Sequence, residues 1–135
     1  MIVRNTPVIS IVDDDEAVRL ALRSLVRSLG YVSNVFSSAE EFLESPDLNE
    51  TSCLISDVQM PGMSGIELQS RLNRLDCRTP VIFVTAFPDE RNRARALEAG
   101  AIGFMEKPFE GRALIELIET ALRAPCERGS NRASE

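Results

Sequence analysis

The chain has 135 residues, 44% of them hydrophobic, and carries a formal net charge of -6 with no histidine. That length is one domain by the ordinary prior and enough to bury a core without staples, while the acid excess argues against a free-standing nucleic-acid binder, whose face would be basic. Lack of histidine excludes histidine phosphotransfer from this chain, a Ser-His-Asp triad and imidazole metal sites; no apolar stretch is long enough for a membrane span, and Met1 to Pro7 reads as carrying no secretory leader.

Residues 1–7 read as an N-terminal extension. Val8-Ile9-Ser10-Ile11-Val12 predicts a strand over 8–12 that ends in Asp13-Asp14-Asp15. Val18, Leu22, Leu25, Val26 and Leu29 recur at helical spacing, so a helix is expected over 15–29 with Gly30 as its C-cap. A strand over 32–36 follows, and Ser38 with Glu41 forms a capping-box pair opening a helix over 38–45. The third strand, 52–56, leads into Asp57 and a Gly- and Pro-rich loop. Ser64 and Glu67 then open a helix over 65–75 that carries Leu68 and Leu72.

Val81-Ile82-Phe83-Val84 is apolar at every position, the pattern of a strand buried on both faces, and it ends at Thr85. A helix over 89–99 stops at Gly100, and a strand over 102–105 leads into Glu106-Lys107-Pro108. The last helix, 110–123, puts Leu114, Leu117, Ile118, Ala121 and Leu122 on one face. Residues 125–135 are polar and aperiodic and read as a disordered tail, with no residues left to build a helix-turn-helix. Cys53, Cys77 and Cys126 are odd in number and lack metal spacing, so they read as free thiols in a reducing cytosol. Five strand–helix units predict an α/β fold, a doubly wound five-stranded parallel sheet with right-handed crossovers over residues 8–124.

In such a sheet the carboxyl ends of the strands share one edge, where ligands bind. Asp13, Asp14, Asp57, Thr85 and Lys107 all follow strands, so they should converge there. Two like charges about 4 Å apart repel by about 4 kcal/mol at an effective dielectric near 20, so clustered carboxylates need a cation or raised pKa values. Mg2+ suits a site with few ligands, because it keeps waters and accepts one or two carboxylates plus substrate oxygens. A carboxylate beside Mg2+ can act as a nucleophile toward phosphorus. Thr85 can donate to a phosphoryl oxygen, and a Lys107-Pro108 step can hold a cis peptide that turns the ammonium toward the pocket. Asp15 and Glu16 fit better as a helix cap and a first-turn acid, Thr85 alone as a loop cap, and Lys107 alone as a surface lysine.

Four segments, taken together, resemble the receiver domain of bacterial two-component response regulators, most of all the FixJ-type branch. They are Val12-Asp13-Asp14-Asp15-Glu16, Asp57-Val58-Gln59-Met60-Pro61-Gly62-Met63-Ser64-Gly65, Val84-Thr85-Ala86 and Gly103-Phe104-Met105-Glu106-Lys107-Pro108-Phe109. The resemblance implies a flavodoxin-like, CheY-like (βα)5 sheet of strand order 2-1-3-4-5 and a cytoplasmic signalling protein. It implies Asp57 as phosphoacceptor from a sensor histidine kinase, with Mg2+ on Asp14 directly, on Asp13 mainly through water, on Asp57 and on the backbone carbonyl of Gln59. Thr85 and Lys107 would bind phosphoryl oxygens, and Phe104 would be a switch aromatic that turns inward when Thr85 moves. By the same likeness the fourth helix, fifth strand and fifth helix would meet a second copy or a downstream partner. Arg91 and Arg95, four apart on the fourth helix, read first as a solvated basic face and otherwise as a phosphorylation-dependent contact for acidic residues of such a partner.

Two departures from the family pattern matter. FixJ-type regulators usually carry a DNA-binding output domain, and none is expected here, so a stand-alone receiver with no direct nucleic-acid binding is the reading. Phe87 stands two positions after Thr85, where it is expected to restrict water and slow dephosphorylation. The biological output stays open between phosphoryl relay, phosphate sink and control of a partner protein. Two competing readings remain. One is a haloacid-dehalogenase-like phosphatase using Asp13 as nucleophile and Asp15 as acid/base, although Ala17 stands where a Thr or Val is usual. The other is a pseudo-receiver that binds partners and is never phosphorylated.

Overall fold

The computed structural model describes residues 6–123. Five strands, β1 (Val8–Val12), β2 (Val32–Phe36), β3 (Cys53–Ser56), β4 (Val81–Thr85) and β5 (Gly103–Glu106), form one sheet. All pairings are parallel and the spatial order is β2-β1-β3-β4-β5. The helices are α1 (Glu16–Ser28), α2 (Ala39–Leu43), α3 (Gly65–Arg74), α4 (Glu90–Glu98) and α5 (Gly111–Arg123), with a short 3-10 helix at Pro46–Glu50. Expected and observed element ends differ by a residue or two, as terminal turns usually do. The helix expected over 38–45 fits that margin too, as the short α2, and is followed by a 3-10 helix that was not expected. The expected tail, 125–135, and most of the N-terminal extension lie outside the described residues. Of that extension, Pro7 is tied to the sheet, its carbonyl accepting from Val32 N–H.

Alternation along the strands splits the core into two layers. In β4, Val81 and Phe83 face one layer and Ile82 and Val84 the other, as a period of two dictates. The first layer packs Phe36, Phe42, Leu54, Leu68 and Leu72 under α2, α3 and α4. The second packs Ile9, Ile11, Leu22, Val26, Leu114 and Ile118 under α1 and α5. Both faces of the central strands are therefore dry, and burial of each large side chain contributes about 1.5–3 kcal/mol before entropy is charged. A buried Ser10 breaks the apolar run of β1; its Oγ lies 2.7 Å from Thr51 Oγ1, which donates to the Asp47 carbonyl and fastens the 3-10 helix to the sheet.

Helix ends follow the sequence signals, with one correction. Asp15 caps α1 by accepting from Ala17 N–H, and Gly30, at φ +90°, turns the chain out of that helix. Ser64 and Glu67 make a complete capping box on α3. Ser38 and Glu41 make half of one: Ser38 Oγ accepts from Glu41 N–H, but the Glu41 carboxylate accepts from Ser37 N–H and Oγ instead. Ser37 offers two donors to one oxygen, which outcompetes the single N–H of Ser38.

Helix α4 buries only Ala96. It is fastened at its C-terminal end by two amides from α3, Gln69 Nε2 donating to Ala96 O at 3.0 Å and Asn73 Nδ2 to Ala99 O at 3.3 Å. Arg91, Arg93 and Arg95 on this helix are exposed, Arg93 lying 3.5 Å from Glu90.

Candidate functional site

The parallel ladders run one residue past the strands and set the site. Asp13 N–H donates to Phe36 O, Asp57 N–H to Val12 O and Lys107 N–H to Thr85 O. Asp13 and Asp57 therefore leave neighbouring strand ends side by side. One carboxylate oxygen from each of Asp13, Asp14 and Asp57 lies within 4.8 Å of the other two. Lys107 Nζ lies 2.9 Å from Asp13 Oδ2 and 3.2 Å from Asp57 Oδ2. The Lys107-Pro108 peptide is cis.

Each carboxylate is held differently. Asp57 is buried, and its Oδ1 accepts from Val58 N–H at 2.6 Å and Gln59 N–H at 3.3 Å. Asp13 is enclosed as well; its Oδ1 accepts from Asp15 N–H. Asp14 is exposed and makes no side-chain hydrogen bond to the protein among the described residues. Were all three carboxylates to carry charge, the one ammonium would leave two negative charges uncompensated, each acidic pair repelling by about 3 kcal/mol at an effective dielectric near 20. A divalent cation with oxygen ligands fits that deficit, and the exposed side at Asp14 leaves room for the waters Mg2+ retains.

Burial pushes the Asp13 carboxyl above its usual range, against the hydrogen bonds from Lys107 and Asp15 N–H and the lysine's charge; the Asp57 charge adds to the rise. Burial pulls Lys107 down, but hydrogen bonding and charge from Asp13 and Asp57 outweigh it and hold the ammonium above the ordinary lysine range. An isolated ion pair would lower its acid. Here the acid rises because Asp13 is the more enclosed partner, its side chain 2% exposed against 15% for Lys107. The lysine is firmly charged, and Asp13 ionises more easily once further positive charge arrives.

Of the remaining expected residues, Thr85 joins this strand edge through its carbonyl, which accepts from Lys107 N–H. Thr85 is fully buried; its Oγ1 accepts from Phe87 N–H at 3.2 Å, leaving the hydroxyl proton free to be donated. Phe104 is half-buried against the core, its ring 6.1 Å from that of Phe83. Gln59 is exposed and joins the site through its backbone N–H. Asp15, which a phosphatase would need as acid/base, is engaged as the α1 cap. Two contacts lay beyond the sequence reading. Arg19 donates to the Asp13 carbonyl at 2.8 Å, and Glu40 Oε2 accepts from Met63 N–H at 3.0 Å. Both are polar helix positions reaching a loop, for which sequence periodicity carries no signal. No described helix is long and apolar enough to cross a membrane.

A sequence model described as the response regulator receiver domain matches residues 9–119. The response regulator protein TodT of Pseudomonas putida is 43% identical over 124 residues, covering 92% of this chain and 55% of TodT. The transcriptional regulatory protein FixJ of Bradyrhizobium diazoefficiens is 37% identical over 115 residues, 85% of this chain and 56% of FixJ. The chain thus spans about half the length of the curated relatives it matches. The crystal structure of FixJ-N superposes with a TM-score of 0.79 at 36% identity, over 90% of this chain and 97% of that one. The structure of the response regulator StyR gives a TM-score of 0.86 at 43% identity, over 96% of this chain and 65% of that one.

Proposed function

The chain belongs to the response regulator receiver family, and from that premise we propose that it accepts a phosphoryl group on Asp57 from the phosphohistidine of a sensor kinase, in a Mg2+-dependent reaction, and signals by changing shape. The observation that carries this reading is the Lys107 ammonium shared between Asp13 and Asp57, at 2.9 and 3.2 Å, beside the exposed carboxylate of Asp14.

In this reading a carboxylate oxygen of Asp57 attacks phosphorus in line. The O–P bond forms as the P–N bond to the donor imidazole breaks, and the imidazole takes up a proton. The two amides on Oδ1 fix the plane of the carboxylate. Lys107 neutralises charge on the transferring oxygens, and the Thr85 hydroxyl donates to one of them. Asp14, Asp57 and the Gln59 carbonyl would hold Mg2+, with Asp13 acting mainly through water; bound there, the cation supplies further charge neutralisation. Water later hydrolyses the aspartyl-phosphate.

Phosphorylation biases a two-state equilibrium of Thr85, Phe104 and α4. The readout is a downstream protein, a phosphotransfer partner or a second copy meeting α4, β5 and α5. The net charge of -6 keeps direct DNA contact out of the proposal.

The test is intact mass after incubation with acetyl phosphate, with and without Mg2+, with Asp57→Asn as control. The expected result is a Mg2+-dependent gain of one phosphoryl group that the substitution removes. No gain from acetyl phosphate, and none from a phosphorylated histidine kinase, would leave a pseudo-receiver in its place.

A further inference from the structure

Glu40 lies outside the acidic pocket, in the first turn of α2, and its side chain is exposed. An acid there satisfies the helix dipole wherever its carboxylate points. This one points out of its own helix. Its Oε2 accepts the backbone N–H of Met63, 23 positions along the chain, at 3.0 Å. The same oxygen closes over Gly62, where an added Cβ would come within 2.8 Å of it. Gly62 has φ +78°, a left-handed turn in which only the missing side chain leaves space for the carboxylate.

The gripped loop, residues 58–64, joins Asp57 to α3. Its other hydrogen bonds are local. Val58 and Gln59 N–H donate to Asp57 Oδ1, Gly65 N–H donates to Val58 O, and Ser64 with Glu67 caps the helix. Among the described residues, Glu40 makes the one hydrogen bond that ties this loop to an element other than α3, the helix it leads into. Gln59 lies in the loop between the two anchor points, Asp57 and Met63. We infer that Glu40 is a positioning residue for the cation site: through Met63 it fixes the loop, and so the Gln59 carbonyl relative to the Asp57 carboxylate. The inference rests on the function proposed above.

A hydrogen bond to a charged group can change an equilibrium by about ten- to a hundredfold, and a share of that should reach the cation. The experiment titrates Mg2+ alone into the protein, Glu40→Ala and Glu40→Gln, following the backbone amide shifts of Gln59 and Met63, with urea stability measured beside it. Glu40→Ala is expected to weaken Mg2+ binding by about three- to tenfold. Glu40→Gln, whose amide oxygen still accepts the Met63 N–H, should stay within about twofold. Unchanged affinity in Glu40→Ala overturns the inference alone. Equal loss in both variants also overturns it, since charge and not the bond would then be at work. If the unsubstituted protein binds no Mg2+, the inference and the proposed function fall together.

Discussion

Gly65 packs directly against the backbone carbonyl of Asp57. A Cβ at this position would overlap that oxygen and come within 3.0 Å of the Phe83 ring. The close approach lets Gly65 N–H donate to Val58 O at 2.8 Å and starts α3 immediately beside the pocket. The obstacle is backbone and a core ring, so it cannot swing aside. Gly65→Ala is therefore expected to cost at least the overpacking range of about 1–3 kcal/mol and to displace Asp57. A lower urea midpoint with slower phosphoryl uptake is the expected result; wild-type values for both would contradict it.

Asp13 gives stability a pH dependence when no divalent cation is present. Burial raises its folded pKa, so the folded protein keeps a proton that the unfolded chain has released. The stability this contributes is fully present below about pH 4, the ordinary carboxyl value, and is lost as pH rises through the folded value. Asp13→Asn removes that loss, so its urea midpoint should fall less between acid and neutral pH than that of the unsubstituted protein. Mg2+ at about ten times its Kd should return about 1.4 kcal/mol to the unsubstituted protein, and less to the variant. Parallel pH curves for the two proteins would refute the assignment.

The pocket is legible in the sequence because a parallel sheet brings its strand ends to one edge, so Asp13, Asp57, Thr85 and Lys107 need only follow strands to meet. Periodicity places those strands because both faces of the sheet are buried. What escapes the sequence is polar contact across elements. Glu40 and Glu41 are adjacent acids in one turn, and nothing local says that Glu41 bends back to Ser37 while Glu40 reaches Met63. The 3-10 helix at Pro46–Glu50 escapes for a related reason: it buries none of its own residues and has no apolar stripe to betray it. Arg19 and Gln69, too, find backbone carbonyls whose positions only the assembled fold defines.

The two cysteines among the described residues should separate cleanly by reactivity. Cys53 is fully buried between the sheet and its helices, and burial pushes its thiol up to about 12. At pH 8 about one molecule in ten thousand would carry the thiolate there, and the thiolate is the reactive form. Cys77 is partly exposed, its Sγ 3.2 Å from Thr79 Oγ1. Iodoacetamide on the native protein should label Cys77 and spare Cys53 until urea is added, as peptide mass mapping would read. Early labelling of Cys53 would mean that β3 opens locally far more often than its burial allows.

Phe87 offers a separate test of the pocket's rim. It stands two residues past Thr85 at the same sheet edge, and its N–H is the hydrogen-bond partner of the Thr85 hydroxyl. The residue is 68% exposed, so packing does not account for an aromatic there. Phe87→Ala should leave stability within about 0.5 kcal/mol of the unsubstituted protein, as surface changes usually do. If the ring limits the approach of water to a phosphorylated Asp57, the same variant should shorten the life of the aspartyl-phosphate while leaving its formation from acetyl phosphate intact. The check is the decay of the phosphorylated mass after the donor is removed. A lifetime equal to that of the unsubstituted protein would release Phe87 from any part in the chemistry and leave it as surface for a partner.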